Sequence, residues 1–153
     1  MHLSSFLSIF LTLLPAITTT TTSASPLSLP KTAVRVAADP TSPALTWHVS
    51  NFDIGCSPGG CVYSFNIAGA ASTHTPGFNT TCNGTSVQKD YVACNDNAML
   101  AQIEPAQYPN WTVKAQHQWR ETEWSHYYAF GERNVTEAMK RFTITVGEVY
   151  GVA

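Results

Sequence analysis

Charge is scarce in this chain. Asp, Glu, Lys and Arg make up 12% of its 153 residues, about half the usual quarter. The basic residues are scattered, and without a basic block nucleic acid and anionic membranes are poor partners. Beyond the front of the chain, no apolar run approaches the ~20 residues needed to span a bilayer. A Gly-rich phosphate loop, a nucleophile elbow and a paired-carboxylate motif are all missing, which removes the common nucleotide-binding and hydrolytic signatures. No cofactor is expected.

The front of the chain carries the most specific signal. Leu3 to Ile17 is apolar, diluted only by Ser, Thr, Pro and Ala. It is too short for a membrane span and of the right length for a signal-peptide core. Small residues at Thr22 and Ala24 fit cleavage after Ala24, although no Lys or Arg precedes the apolar run. Residues 1–24 are therefore expected to be a signal peptide and the mature protein to be secreted and extracellular. About 129 residues then remain, one domain by length. Residues 25–43 are rich in Pro, Ser, Thr and Ala. Pro26, Pro30, Pro40 and Pro43 deny them a continuous helix or central strand, so they read as an N-terminal arm, with a propeptide or spacer as the alternative. Residues 44–153 are the expected folded domain.

From Leu45 onward the pattern is β. Leu45, Trp47 and Val49 alternate with polar residues, as do Cys61, Tyr63, Phe65 and Ile67, then Met99, Ala101 and Ile103. In Trp111 to Arg120 the odd positions are Trp, Val, Ala, His and Trp and the even positions are polar; a period of two means one packed face and one wet face. Phe142, Ile144 and Val146 repeat it. The expectation is an all-β domain, an antiparallel sandwich or barrel of about seven to eight strands. One short helix is possible at Val135 to Lys140, with Asn134 as its cap and Glu137 three residues later.

One hairpin can be placed in register. If Arg120 to Glu123 is a four-residue loop, Trp119 lies opposite Trp124, His117 opposite His126, Ala115 opposite Tyr128 and Val113 opposite Phe130, all on one face. Opposed β-carbons lie roughly 5 Å apart, so His117 and His126 could share a metal ion, or act as acid and base with Glu121 or Glu123. The plainer reading is a partly buried, hydrogen-bonded histidine pair beside tryptophans, with no metal bound. His48 and His74 are isolated.

In an exported protein the four cysteines, Cys56, Cys61, Cys82 and Cys94, become disulfides. Three pairings are possible. Geometry favours sequence neighbours: Cys56 and Cys61 bracket a Pro-Gly-Gly turn, and Cys82 and Cys94 bracket a turn around Gly84 to Lys89. Chain entropy gives about 2 and 3 kcal/mol for the two loops. The spacings do not match a zinc knuckle, and an even count leaves no obvious thiol for a covalent dimer; the sequence sets no oligomeric state. Four Asn-x-Thr sequons, at Asn79, Asn83, Asn110 and Asn134, are candidate glycosylation sites. A glycan on Asn134 would compete with its service as a helix cap.

Trp47-His-Val49-Ser-Asn51-Phe52, Tyr63-Ser-Phe65-Asn66-Ile67-Ala68, Thr81-Cys82 and Tyr91-Val-Ala-Cys94-Asn95-Asp96-Asn97 follow one another in an order that resembles small secreted β-barrel proteins of ascomycete fungi. That group includes the Alternaria-type major allergens and related elicitors of plant hypersensitive responses. The likeness covers about Trp47 to Met99. A looser one, to cysteine-clipped fungal secreted proteins, rests on Trp47–Phe52 and Cys56–Phe65. The allergen-type resemblance implies a Cys82–Cys94 bridge. This chain lacks that family's C-terminal cysteine pair and its dimer-forming N-terminal cysteine, and has Cys56 and Cys61 instead, so a dimer-borne ligand site is not carried over.

The resemblance implies a non-enzymatic effector or elicitor that contributes to virulence by binding a host protein, a defence component or another target in the plant apoplast or at the cell surface. Two rivals come from the residues. One is a small ribonuclease-like hydrolase using His117, His126 and Glu121 or Glu123. The other is a cell-wall carbohydrate-binding module presenting Trp111, Trp119 or Trp124.

Overall fold

Nine strands and one 3-10 turn make up the computed structural model, which describes residues 34–36 and 43–152. In chain order they are β1 (Val34–Val36), the 3-10 turn Pro43–Leu45, β2 (Thr46–Ser57), β3 (Gly60–Gly69), β4 (Phe78–Thr85), β5 (Val92–Ala93), β6 (Met99–Pro105), β7 (Asn110–Arg120), β8 (His126–Thr136) and β9 (Arg141–Val152). All described residues belong to one unit, Lys31–Ala153. The expected signal peptide lies outside the described residues, as does most of the expected arm. Within that arm, β1 pairs with Val149–Gly151 of β9. Among the described residues no helix is long and apolar enough to cross a membrane.

Every pairing is antiparallel, and the strands run in the order β4-β3-β2-β9-β8-β7-β6-β5. The two ends of this sheet curl towards each other. The Asn95 amide donates to the Thr81 carbonyl at 2.9 Å, the Asp96 amide donates to Thr80 Oγ1 at 2.9 Å, and the Cys82–Cys94 disulfide crosses the same seam. The result is a nearly closed up-and-down barrel, the arrangement that leaves the fewest free sheet edges.

The barrel interior takes the apolar side of each alternation. Trp47, Phe52, Phe65, Ile67, Met99, Ile103, Val113, Val135, Ile144 and Val146 are buried there. The alternation of β2 breaks once, because two residues, Asn51 and Phe52, oppose one on β3 between Ser50 and Asp53. Asn51 takes a positive φ of 54°, a conformation asparagine tolerates, and this bulge turns Phe52 inward after Val49.

No helix forms at Val135–Lys140. β8 runs through Thr136, and a short turn, in which the Met139 amide donates to the Thr136 carbonyl at 3.0 Å, delivers the chain to Arg141. Val135 is buried opposite Trp111. Asn134 Oδ1 accepts a hydrogen bond from Thr112 Oγ1 across the ladder, where capping would turn it to its own backbone. Burial and cross-strand pairing override a weak local helix signal.

Gly131 sits where β8 and β9 shift register. A β-carbon there would lie 2.6 Å from Ile144 Cγ2 and 3.1 Å from the Thr145 carbonyl oxygen. Gly131→Ala is expected to cost about 1–3 kcal/mol, as overpacking does. Chemical denaturation measures it, and an unchanged midpoint would contradict the close approach.

Candidate functional site

The β7–β8 hairpin decides what chemistry the barrel can do, and its register differs from the expectation. Arg120 pairs with His126, Trp119 with Tyr127, Gln118 with Tyr128 and His117 with Ala129. The loop is one residue longer than expected, Glu121 to Ser125, because its polar residues close a turn of their own. The Thr122 amide donates to Ser125 Oγ at 3.0 Å, and the two hydroxyls lie 2.7 Å apart. The pairing slips by three residues, an odd number, so every β8 side chain changes face. Ala129 and Gly131 point into the barrel beside His117 and Ala115, while His126, Tyr128 and Phe130 point out.

His117 and His126 therefore lie on opposite faces of the sheet and cannot share a metal or a substrate. His117 is 1% exposed, stacked on Trp119 at a centroid distance of 5.0 Å and against Phe78 at 4.6 Å. Burial pulls its pKa down to about 4, with Asp96 pulling weakly the other way, so the ring is neutral at pH 7. Its Nδ1 has no hydrogen-bond partner among the described residues. Glu121 is tied elsewhere, 2.7 Å from His74 Nδ1; that bond and one to Tyr127 hold its carboxyl below the usual range. With the Trp119 Nε1 bond to the His74 carbonyl at 2.9 Å, it fastens the β3–β4 loop to the β7–β8 end of the barrel. Glu123 stands apart on the surface. Among the described residues no group of three or more His, Cys, Asp or Glu could hold a metal ion.

The four cysteines pair as sequence neighbours. Cys56–Cys61 joins directly opposed residues at the β2–β3 turn, with Cα atoms 4.0 Å apart, and Cys82–Cys94 has its Cα atoms 4.2 Å apart. Such bonds are compatible with an extracellular protein. Of the sequon asparagines, Asn79, Asn83 and Asn134 are exposed. Asn110 is half-buried, and its Nδ2 donates to the Gln107 carbonyl at 3.0 Å. Asn134 engages Thr112 through its oxygen, and with no helix formed there the capping conflict foreseen from the sequence does not arise.

The slipped register creates a surface that the sequence reading placed in the core. Along the outer face of β8 and β9, His126 lies 5.2 Å from Tyr128, Tyr128 lies 5.5 Å from Tyr150, and Tyr150 stacks on Phe130 at 5.6 Å. Tyr91 meets Phe130 edge-on at 6.2 Å. These rings are half-buried. Beside them on β7 stand Lys114, Gln116, Gln118 and Arg120, in register with Glu132, Phe130, Tyr128 and His126. Lys114 is bound to Glu104 at 2.7 Å, and that bond keeps it firmly protonated. Burial raises the Tyr91 pKa, so its hydroxyl remains a donor. At one end is a groove of about 390 Å³ beside Trp124, Glu123 and His126; at the other is one of about 360 Å³ beside Tyr91, Phe130 and Glu148. A third groove, about 710 Å³, lies elsewhere among His48, Arg133 and Arg141.

The three tryptophans weighed as surface rings divide. Trp119 is buried, Trp111 is half-buried against the core, and Trp124 is 82% exposed at the end of the aromatic stripe. Comparison with models of known protein families, with curated proteins and with solved structures finds no match for this chain.

Proposed function

We propose that this protein is a secreted, disulfide-stapled glycoprotein of the effector or elicitor type, which acts by contact and without turnover on a host defence component or another apoplastic target. The observation that carries the reading is the row of outward-facing rings on β8 and β9. Half-exposed rings clustered on one outer face are the ordinary mark of a binding surface. The likeness of Trp47–Met99 to secreted fungal elicitors supplies the setting, and the signal-like front segment and the exposed sequons agree with it. The separation of His117 from His126 takes away the grounds for a histidine-pair hydrolase.

The test is affinity capture of apoplastic fluid components on the purified glycoprotein, run beside an RNA hydrolysis assay. A saturable partner lost on Tyr128→Ala with Trp124→Ala, together with no cleavage of RNA, is the expected result. RNA cleavage abolished by His117→Ala, or capture indifferent to the ring variants, would count against the proposal.

A further inference from the structure

We propose that the outer face of β8 and β9 is a platform for a neutral polysaccharide chain. This rests on the contact reading above and gives the apoplastic target a chemistry. Outward positions of a half-wet strand are ordinarily polar. Here three successive outward positions of β8, His126, Tyr128 and Phe130, carry rings, and Tyr150 of β9 stacks between the last two. Cross-strand pairing gives such rings a structural use, about 0.5–1.5 kcal/mol per pair. It does not explain why the row continues to Tyr91 at one end, or why the loop beside the groove at the other presents an almost fully exposed Trp124.

The composition of the face selects the ligand. A pyranose presents C–H faces that stack on aromatic rings and rim hydroxyls that need hydrogen-bonding partners. The platform offers both: ring surface along its axis, and the Tyr91 and Tyr150 hydroxyls with the Gln116 amide along its side. The Tyr128 hydroxyl lies 3.4 Å from His126 Nδ1, and the Gln118 amide nitrogen is already given to the Asn97 carbonyl. His126 to Phe130 is a run of extended strand whose steps span about 13 Å, more than one sugar ring, and each end opens into a groove. Charges on the face are of mixed sign. Lys114 is neutralised by Glu104, Arg120 and Glu123 border the groove at one end, and Glu132 and Glu148 border the groove at the other. That balance disfavours polyanions: single-stranded nucleic acid also stacks on aromatic rings but needs a basic track for its phosphates. Tight protein partners are anchored by residues in well-packed, fully desolvated pockets, whereas these grooves are shallow and rimmed by carboxylates.

The experiment is co-sedimentation of the purified glycoprotein with insoluble cellulose, chitin and β-1,3-glucan, with immobilised polygalacturonate as the anionic arm. The expected result is retention on at least one neutral polymer. That retention should weaken at least tenfold in Tyr128→Ala with Tyr150→Ala and in Trp124→Ala, and should be unchanged in Arg133→Ala with Arg141→Ala. Trp124 is exposed, so its variant separates binding from folding should the double tyrosine variant lose stability. Soluble oligosaccharide from the retained polymer should protect Trp124 from iodide quenching. No retention on any neutral polymer, retention on polygalacturonate alone, or retention indifferent to Trp124 and the tyrosines would overturn the assignment. Ring-dependent capture of an apoplastic protein without polysaccharide retention would overturn it while leaving the contact reading standing.

Discussion

Replacing Cys82 and Cys94 together with alanine is expected to lower stability by about 3 kcal/mol, from the chain entropy of the loop they close. For a domain of this size that is roughly a 10–15 °C fall in Tm. The effect should also be local. The bond spans the seam between the two ends of the sheet, where the described residues form no continuous ladder and which is held otherwise by the Asn95 amide on Thr81 and the Asp96 amide on Thr80. Amide hydrogen exchange at Asn95 and Asp96 should therefore accelerate well before the rest of the barrel unfolds. The corresponding change at Cys56 and Cys61 removes a clip from a hairpin that already has its own ladder. It should cost about 2 kcal/mol and leave exchange at Asn95 and Asp96 unchanged. Equal effects of the two removals on those amides would show that the seam does not depend on its disulfide.

Acid should destabilise this barrel through His117. Its folded pKa, about 4, lies below the ordinary value near 6.5. Between those values the unfolded chain binds a proton that the buried ring refuses. The contribution is therefore fully present above about pH 6.5, is lost as pH falls towards 4, and falls no further once both states are protonated. The depression corresponds to roughly 3 kcal/mol across the window. Carboxylates begin to titrate at the acid end too, so the measurement is a difference. Denaturation of the wild type and of His117→Leu at pH 7 and pH 4.5 should show the wild type losing about 2–3 kcal/mol more than the variant. Parallel losses would mean that the imidazole is protonated inside the barrel, or is not buried in solution.

The contrast between His117 and His126 shows where the sequence was legible. The period-two run from Trp111 to Arg120 is a local signal, and the structure keeps its odd positions inward. Trp47, Tyr63, Ile103 and Ile144 follow the same rule, and the cysteines pair with their neighbours because each pair brackets a turn. Register is not local. It depended on whether the loop ran from Arg120 to Glu123 or from Glu121 to Ser125, and the hydrogen bonds between Thr122 and Ser125 settle it as the latter. Treating every ring as a core residue then placed His126, Tyr128 and Phe130 inside. Ala129 and Gly131 carried the opposite clue: an interior already filled by Trp119, His117 and Phe78 has room only for small residues across from it. The helix expected at Val135 failed for a related reason, since a capping pattern over six residues is weaker than a strand partner such as Trp111. The bulge at Asn51 left no local trace beyond the lapse in alternation before Phe52.

One strand sets the order in which this molecule can be assembled. β9 pairs with β1, β2 and β8, joining segments about a hundred residues apart in the chain, and such distant contacts form late. The hairpin clipped by Cys56 and Cys61 can mature while later segments are still emerging, but the circle stays open until Arg141–Val152 arrives. Until then Trp47, Val49 and the inward side of β8 face water together, which makes the interval just before closure the point at which a nascent chain is most exposed to misassembly.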